Sequence, residues 1–151
     1  MKLVNMLDER LIKFDLEVKG KDDAIKQVAK MMFDANKVND LEQYIKGLFE
    51  RETEFATGIG FGIAIPHCKD DCVQDAAFTI VKIKEPIEWG AMDENLVQLI
   101  IMLAAPNNSD NAHLKMLSKL SKNLMDEEFR SGLNLASSIE DIKKTFAKKG
   151  E

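Results

Sequence analysis

The chain is poor in the features that define disulfide-stapled, membrane-spanning or nucleic-acid-binding proteins. Its two cysteines, Cys68 and Cys72, are four positions apart and not spaced as a redox Cys-x-x-Cys motif, and a disulfide between them is not expected in the cytosol. The longest apolar run, Leu99 to Ala105, is far shorter than the roughly 20 residues that span a bilayer. A formal charge of −5 without a basic stripe gives no general attraction to nucleic acid.

Other absences bear on location and organisation. The N-terminal segment lacks the long apolar core of a signal peptide, so we expect a cytoplasmic protein. No repeat, low-complexity tract or Pro/Gly/Ser linker divides the 151 residues, of which 45% are hydrophobic. Residues 1–151 are therefore expected to form a single domain with a sizeable core.

Apolar periodicity predicts alternating strands and helices. Residues 12–18 alternate apolar with charged side chains, as in a strand with one solvated face. Helical spacing follows in residues 25–32 and 41–51, with Asn39 as the expected cap of the second helix. Three further segments are predicted as strands: Ile59–Ile65, Phe78–Ile83 and Leu96–Ala104.

The last third of the chain is predicted to be helical. Ser137 with Glu140 forms a plausible capping box for the final helix. The mostly apolar segment 96–104 is typical of a central strand covered on both faces. Together these patterns predict an α/β fold, a three-layer domain with a central mixed sheet flanked by helices.

The glycine-rich segment before His67 is the most informative part of the sequence. Ile59, Phe61, Ile63 and Ile65 alternate with glycine or alanine, which predicts one bulky face and one nearly bare face. Pro66 cannot donate to a strand ladder, so we expect the strand to end there. His67 would then lie just past a strand end, where functional groups are commonly displayed.

The second histidine, His113, follows a cluster of turn and cap residues, 106–111, behind the predicted central strand. It shares helical spacing with Leu117, Leu120 and Leu124, which places it in the first turn of the next helix and on the inward face. The positive end of the helix dipole disfavours protonation of the imidazole. The same helix end has free backbone N–H groups that can bind an anion.

Arg51 is predicted at the end of the second helix, on the same face as Tyr44 and Leu48. Its guanidinium matches phosphate oxygens as a bidentate fork. Two imidazoles, an arginine and a helix N-terminus suit a group that accepts phosphoryl without a bound cation. The alternatives are that the histidines are packed or solvated, and that Arg51 pairs only with neighbouring glutamates.

A structural zinc site is the alternative role for His67 and the two cysteines. It would require His67, Cys68, Cys72 and the distant His113 to converge, since such a site needs four ligands. Two small thiols without a metal are the simpler interpretation. We therefore predict neither a metal site nor a cofactor.

Several separated segments, in order, resemble one protein family. Residues 57–67, TGIGFGIAIPH, are similar to the active-site signature of the enzyme IIA domains of the bacterial phosphoenolpyruvate-dependent sugar phosphotransferase system, fructose/mannitol type. The resemblance continues through 89–93, 99–106, 113–117 and 137–142, and so covers nearly the whole chain. Four positions depart from the usual pattern: Phe61, Cys68, Glu94 and Leu96.

The resemblance implies a phosphotransferase that works as a relay. His67 would accept a phosphoryl group on Nε2 from the phosphohistidine of the carrier protein HPr and pass it to an enzyme IIB domain. His113 would support the phosphoryl group by hydrogen bonding, and Arg51 would help to balance its charge. Contact with the membrane would be only indirect, through the IIC subunit, and no nucleic acid would be bound.

The transported sugar does not follow from the sequence, although the fructose type is favoured. The main alternative is a regulatory IIA-like module, of the nitrogen-regulatory type, that controls a non-transport partner through its phosphorylation state. A structural domain with incidental histidines is the other alternative.

Overall fold

The computed structural model describes residues 2–107 and 111–149, except for the side chains of Ala112 and His113. Two short 3-10 helices, Leu3–Met6 and Glu9–Leu11, precede the first strand. The described residues contain five α-helices: α1 Lys21–Asp34, α2 Leu41–Glu54, α3 Ala112–Leu124, α4 Glu127–Leu135 and α5 Ile139–Lys148. None of these helices is long and apolar enough to cross a membrane.

The strands form two mixed sheets. They are β1 Ile12–Leu16, β2 Gly58–Gly60, β3 Ile63–Ala64, β4 His67–Lys69, β5 Ala77–Phe78, β6 Ile80–Ile87, β7 Val97–Ile100 and β8 Leu103–Ala105. The larger sheet has the order β1-β6-β7-β3-β2, and the smaller has the order β4-β8-β5. The parallel pair β3–β7 is followed in both chain segments by the parallel pair β4–β8, so the two sheets succeed one another in a single layer.

Helices cover both faces of this layer, which confirms the predicted three-layer α/β fold. Residues 99–105 are completely buried, and their side chains alternate between two cores. Leu99 and Leu103 pack in the core that contains residues of α3, α4 and α5, whereas Ile100 and Ala104 pack in the core that contains residues of α1 and α2. Burial on both faces explains why this segment is continuously apolar.

The glycine-rich segment is a hairpin, and the prediction of one strand over Ile59–Ile65 was wrong. The chain reverses at Phe61 and Gly62, whose φ angles are +60° and +77°, so β2 and β3 pair antiparallel. Two central residues with positive φ are what a tight hairpin turn requires, and Gly62 adopts that conformation without a steric cost. The carboxylate of Asp93 accepts a hydrogen bond from Phe61 N at 2.9 Å and stabilises the turn.

Two other predicted strands are each interrupted. Phe78–Ile83 breaks at Thr79, and Leu96–Ala104 begins at Val97 and breaks at residues 101–102. The breaks face one another, because Thr79 N donates to Met102 O and Met102 N donates to the Thr79 hydroxyl, both at 2.9 Å. The side-chain hydroxyl replaces a ladder bond, and the layer divides there into two sheets.

Two predicted helix caps lie one residue too early. Asp40, not Asn39, caps α2 by accepting from Gln43 N, whereas Asn39 lies beside the bridge between Val38 and Val73 and donates from its backbone N to Cys72 O. Ser138, not Ser137, caps α5 by accepting from Asp141 N.

Candidate active site

Arg51 and His67 meet where α2 ends and β4 begins. Tyr44 and Leu48 are buried on the α2 face that they share with Arg51, as the spacing predicts. The Tyr44 hydroxyl donates to Leu103 O of β8 at 3.0 Å, which fixes α2 against the smaller sheet. His67 is the first residue of β4, beside β8, rather than a loop residue beyond a strand end. Its Nε2 accepts a hydrogen bond from Arg51 Nε at 3.2 Å.

The contacts of His67 specify one neutral tautomer. Its Nδ1 lies 2.8 Å from Ile65 O, and a carbonyl oxygen can only accept, so Nδ1 carries a hydrogen. Arg51 Nε can only donate, so Nε2 presents its lone pair. The nitrogen that faces Arg51 is therefore the nucleophilic one.

Burial favours the neutral imidazole. The pKa of His67 is lowered from its ordinary value of 6.5, chiefly because the side chain is removed from water. The Ile65 carbonyl raises this pKa, Arg51 lowers it, and Glu52 and Glu54 raise it. The net direction keeps a lone pair available on Nε2 near neutral pH.

A cleft of about 400 Å³ opens over this pair. Arg51, His67 and Lys69 line it together with three carboxylates, Glu50, Glu54 and Asp70. An anion that enters the cleft meets a guanidinium and an ammonium, within a rim that is otherwise acidic.

Arg51 does not simply pair with neighbouring glutamates. Its Nε lies 4.0 Å from Glu54 Oε2, which is an exposed carboxylate, whereas its Nη1 donates to Phe55 O at 2.9 Å. Glu52 faces away from Arg51 and pairs with Lys21 at 2.9 Å. The guanidinium is thus held by a backbone carbonyl and directed at the imidazole.

His113 is the second residue of α3, as predicted for the first turn of that helix. Its side chain lies outside the described residues, so its position relative to His67 stays a prediction. Asn111 precedes the helix in a left-handed conformation and makes no side-chain capping bond.

Cys68 and Cys72 are free, buried thiols. Burial raises the pKa of each to about 12, which leaves them protonated and unreactive near neutral pH. Within residues 2–107 and 111–149, leaving out the side chains of Ala112 and His113, no group of three or more His, Cys, Asp or Glu is arranged to hold a metal ion.

Sequence reasoning missed the backbone partners of the site. The carbonyls of Phe55 and Ile65 hold Arg51 and His67, but no residue type signals a carbonyl that points into a site. It also missed that Lys21 pairs with Glu52 and that Thr57 donates hydrogen bonds to the same carboxylate.

Comparison with known proteins places this geometry in a family. The family model described as phosphoenolpyruvate-dependent sugar phosphotransferase system, EIIA 2, matches residues 5–149. The fructose-specific EIIA component of that system in Haloferax volcanii is 36% identical over 127 residues, which are 84% of this chain and 82% of that protein. The fructose-specific EIIABC component of Bacillus subtilis is 36% identical over 142 residues, which are 94% of this chain. The chain spans only 22% of that longer relative.

Solved structures agree on the fold. The nitrogen regulatory protein IIA-Ntr from Neisseria meningitidis superposes with a TM-score of 0.86 at 29% identity, over 95% of this chain and 97% of that one. Enzyme IIA-mannitol from Escherichia coli, solved in complex with phosphorylated enzyme IIB-mannitol, has a TM-score of 0.80 at 22% identity. That comparison covers 94% of this chain and 97% of the other.

Proposed function

The chain belongs to the EIIA 2 family of the phosphoenolpyruvate-dependent sugar phosphotransferase system, and we propose that it carries a phosphoryl group on His67 between two protein partners. The donor is phosphorylated HPr, and the acceptor is an enzyme IIB domain. Residues 1–151 act as one IIA domain in the cytoplasm and reach the membrane only through the IIC subunit. The fructose-specific relatives favour sugar uptake of the fructose type.

The observation that supports this proposal most is the lone pair on His67 Nε2. In the acceptance step, that lone pair forms a bond to phosphorus while the bond between phosphorus and the donor's histidine nitrogen breaks. The leaving electron pair returns to the donor nitrogen. His67 keeps its Nδ1 hydrogen, and the Ile65 carbonyl stabilises the positive charge that the ring acquires.

Arg51 and His113 have supporting roles. The phosphoryl group displaces the bond between Arg51 Nε and His67 Nε2, after which the guanidinium faces the phosphoryl oxygens and spreads their charge. His113, in the first turn of α3, donates a hydrogen bond to the same oxygens.

The acidic rim makes the modified histidine a donor rather than a final acceptor. Glu50, Glu54 and Asp70 line the cleft that would hold the phosphoryl group, and their negative charges disfavour its anionic form. Repulsion of this kind raises the free energy of the phosphorylated state, which favours onward transfer.

The proposal is tested by incubating the protein with phosphoenolpyruvate, enzyme I and HPr. We expect an acid-labile, base-stable adduct of one phosphoryl group on the wild type and none on His67→Ala. Circular dichroism of both proteins controls for folding. Labelling of His67→Ala at the wild-type level would overturn the assignment.

A regulatory role is the second candidate, because the nitrogen regulatory protein from Neisseria meningitidis shares the fold at 29% identity. In this case His67 would still be phosphorylated, but no IIB domain would remove the phosphoryl group. Mixing the phosphorylated protein with IIB domains of the fructose and mannitol types separates the two roles. Rapid loss of label from His67 to either domain supports transport.

A further inference from the structure

Four residues form a closed ring of polar contacts, which we name the Glu52 ring: Lys21, Glu52, Thr57 and Trp89. Lys21 Nζ pairs with Glu52 Oε2 at 2.9 Å and donates to Trp89 O at 3.0 Å. Trp89 Nε1 donates to the Thr57 hydroxyl at 3.2 Å, and that hydroxyl donates to Glu52 Oε1. The Thr57 backbone N–H also donates to Glu52 at 3.2 Å.

Three of the four ring residues are almost completely enclosed, whereas the Lys21 side chain is 26% exposed. The side chain of Glu52 is 6% exposed, and Thr57 and Trp89 are 5% and 2% exposed. A carboxylate in such surroundings is stable only while its oxygens are paired, so the four groups depend on one another. The ring joins α1, α2, the segment before β2 and the segment after β6.

One connection runs from the ring to the imidazole. Thr57 O accepts from Ile65 N at 3.0 Å, and Ile65 O accepts from His67 Nδ1 at 2.8 Å. The carbonyl that selects the His67 tautomer therefore belongs to a residue whose own N–H is held by the ring.

A second connection runs from the ring to the guanidinium. Arg51 and Glu52 are consecutive on α2, and Arg51 Nη1 is held by Phe55 O at 2.9 Å. Glu52 fixes Thr57, two residues beyond Phe55, through both its N–H and its hydroxyl. The segment 55–57, whose Phe55 carbonyl holds Arg51, is thus held in place at Thr57 by the ring.

We propose that the Glu52 ring positions both His67 and Arg51 for phosphoryl transfer, with the Thr57 hydroxyl as its central group. The ring touches neither the phosphoryl group nor a partner protein, so its residues are positioning residues. Loss of the hydroxyl leaves a buried carboxylate oxygen and an indole N–H unpaired, and the segment between α2 and β2 shifts to solvate them. The Ile65 and Phe55 carbonyls move with that segment. The expected effect of the ring on the rate of phosphoryl transfer rests on the proposed function. Its expected effect on the His67 tautomer does not.

Thr57→Val tests the ring, because valine keeps the shape of threonine and removes the hydroxyl. Thr57→Ser restores the hydroxyl and is the rescue variant. Thr145→Val on α5 is the matched control, since Thr145 is also buried and its hydroxyl donates to Asp141 O at 2.9 Å. Lys21→Met is a second ring variant, which removes the ammonium group that pairs with Glu52 and keeps an unbranched apolar side chain at this partly exposed position. It tests the role of the ring if Thr57→Val does not fold.

Two measurements are made on each variant. The ¹⁵N chemical shifts of the His67 ring report the tautomer without any phosphoryl donor. Rapid-quench kinetics with phosphorylated HPr give kcat and KM separately. We expect Thr57→Val and Lys21→Met to populate the Nε2–H tautomer and to lower kcat by roughly ten-fold, by analogy with the loss of the hydrogen-bond partner of a metal-ligating histidine. KM for phosphorylated HPr should not change, because no residue of the ring lines the cleft over His67.

Thr57→Ser and Thr145→Val should keep the wild-type tautomer and kcat. A wild-type tautomer and kcat in a folded Thr57→Val or Lys21→Met would overturn the role of the ring. The proposed function fails separately, if wild-type protein is not phosphorylated by HPr. In that case the tautomer measurement still decides whether the ring positions His67.

Discussion

Arg51 donates from Nε to His67 Nε2 across 3.2 Å while its Nη1 is held by Phe55 O. The guanidinium therefore covers the nitrogen that we propose attacks phosphorus. The bond from Arg51 must be broken before the phosphoryl group can reach Nε2, and the guanidinium is then within reach of the phosphoryl oxygens. This arrangement makes the kinetic role of Arg51 open to direct measurement.

We expect Arg51→Ala to slow phosphoryl acceptance from HPr and transfer to IIB by about a hundred- to a thousand-fold, the usual effect of removing one positioned donor. Arg51→Lys keeps the charge but loses the planar fork, so it should restore only part of the rate. Rapid-quench transfer measures both steps. Arg10→Ala is the control, because Arg10 is exposed and pairs with Asp8. Wild-type rates in Arg51→Ala would contradict the assignment.

His113→Ala should accept the phosphoryl group and pass it to IIB slowly. The variant loses the proposed donor in the first turn of α3 but keeps the proposed nucleophile His67 and its partner Arg51. Single-turnover experiments with pre-phosphorylated protein and excess IIB measure the second step alone. Ser118→Ala, at an exposed position of the same helix, is the control. Equal rates in His113→Ala and the wild type would show that His113 is structural.

The pH dependence of phosphoryl acceptance should reflect the lowered pKa of His67. Because burial lowers this pKa below 6.5, Nε2 keeps its lone pair from alkaline pH down through 6.5, and the rate should fall only below that value. The unfolded chain protonates first. Hence the stability that His67 contributes is fully present above 6.5 and is lost as the pH falls through the folded pKa.

NMR titration of the His67 ring gives this pKa directly. Arg51→Gln removes a nearby cation that lowers the pKa, so the midpoint should move up toward 6.5 in that variant. A wild-type midpoint at or above 6.5 would contradict the role of burial.

The periodic parts of the fold were predictable from sequence. Ile25, Val28, Ala29 and Met32 have helical spacing, and all four are completely buried on α1. Burial on both faces makes the 99–105 segment continuously apolar, and this pattern identified the central layer correctly. Where a regular helix or strand packs against the core, hydrophobic periodicity is sufficient to identify it from the sequence.

The errors occur where a single hydrogen bond or turn overrides periodicity. The alternation from Ile59 to Ile65 fits one strand, but positive φ angles at Phe61 and Gly62 reverse the chain. Thr79 interrupts another apolar strand because its hydroxyl bonds to Met102 N. An alternating sequence therefore does not distinguish one long strand from two short strands that are joined by a tight turn.

The candidate site was predictable only in part. His67 could be found because it ends the glycine-rich signature 57–67, and Arg51 because it shares a helix face with Tyr44 and Leu48. The carbonyls of Ile65 and Phe55 could not be found, since every residue has one and only the folded backbone directs it.

The packing of α2 against β4 leads to a last prediction, on stability. A methyl group at Gly47 would collide with Cys68 Sγ but would lie 3.7 Å from Cys68 Cβ, so alanine fits there only if the thiol moves. Gly47→Ala should therefore lower the free energy of unfolding, since overpacking costs about 1–3 kcal/mol and the gain in helix propensity returns only about 1 kcal/mol.

In a Cys68→Ala background the same change should become neutral or stabilising, because the colliding sulfur is absent and an ordinary contact of 3.7 Å remains. Urea unfolding of the wild type, both single variants and the double variant measures the coupling, expected at about 2 kcal/mol for side chains in contact.

His67 is adjacent to the displaced Cys68, so Gly47→Ala should also slow phosphoryl acceptance, and the double variant should recover the rate. Gly132→Ala is the matched control: its methyl group would lie 2.7 Å from Thr145, between α4 and α5, so it should destabilise the fold without changing that rate. Additive free energies for Gly47→Ala and Cys68→Ala would show that the helix and the strand adjust independently, and that the thiol does not set their spacing.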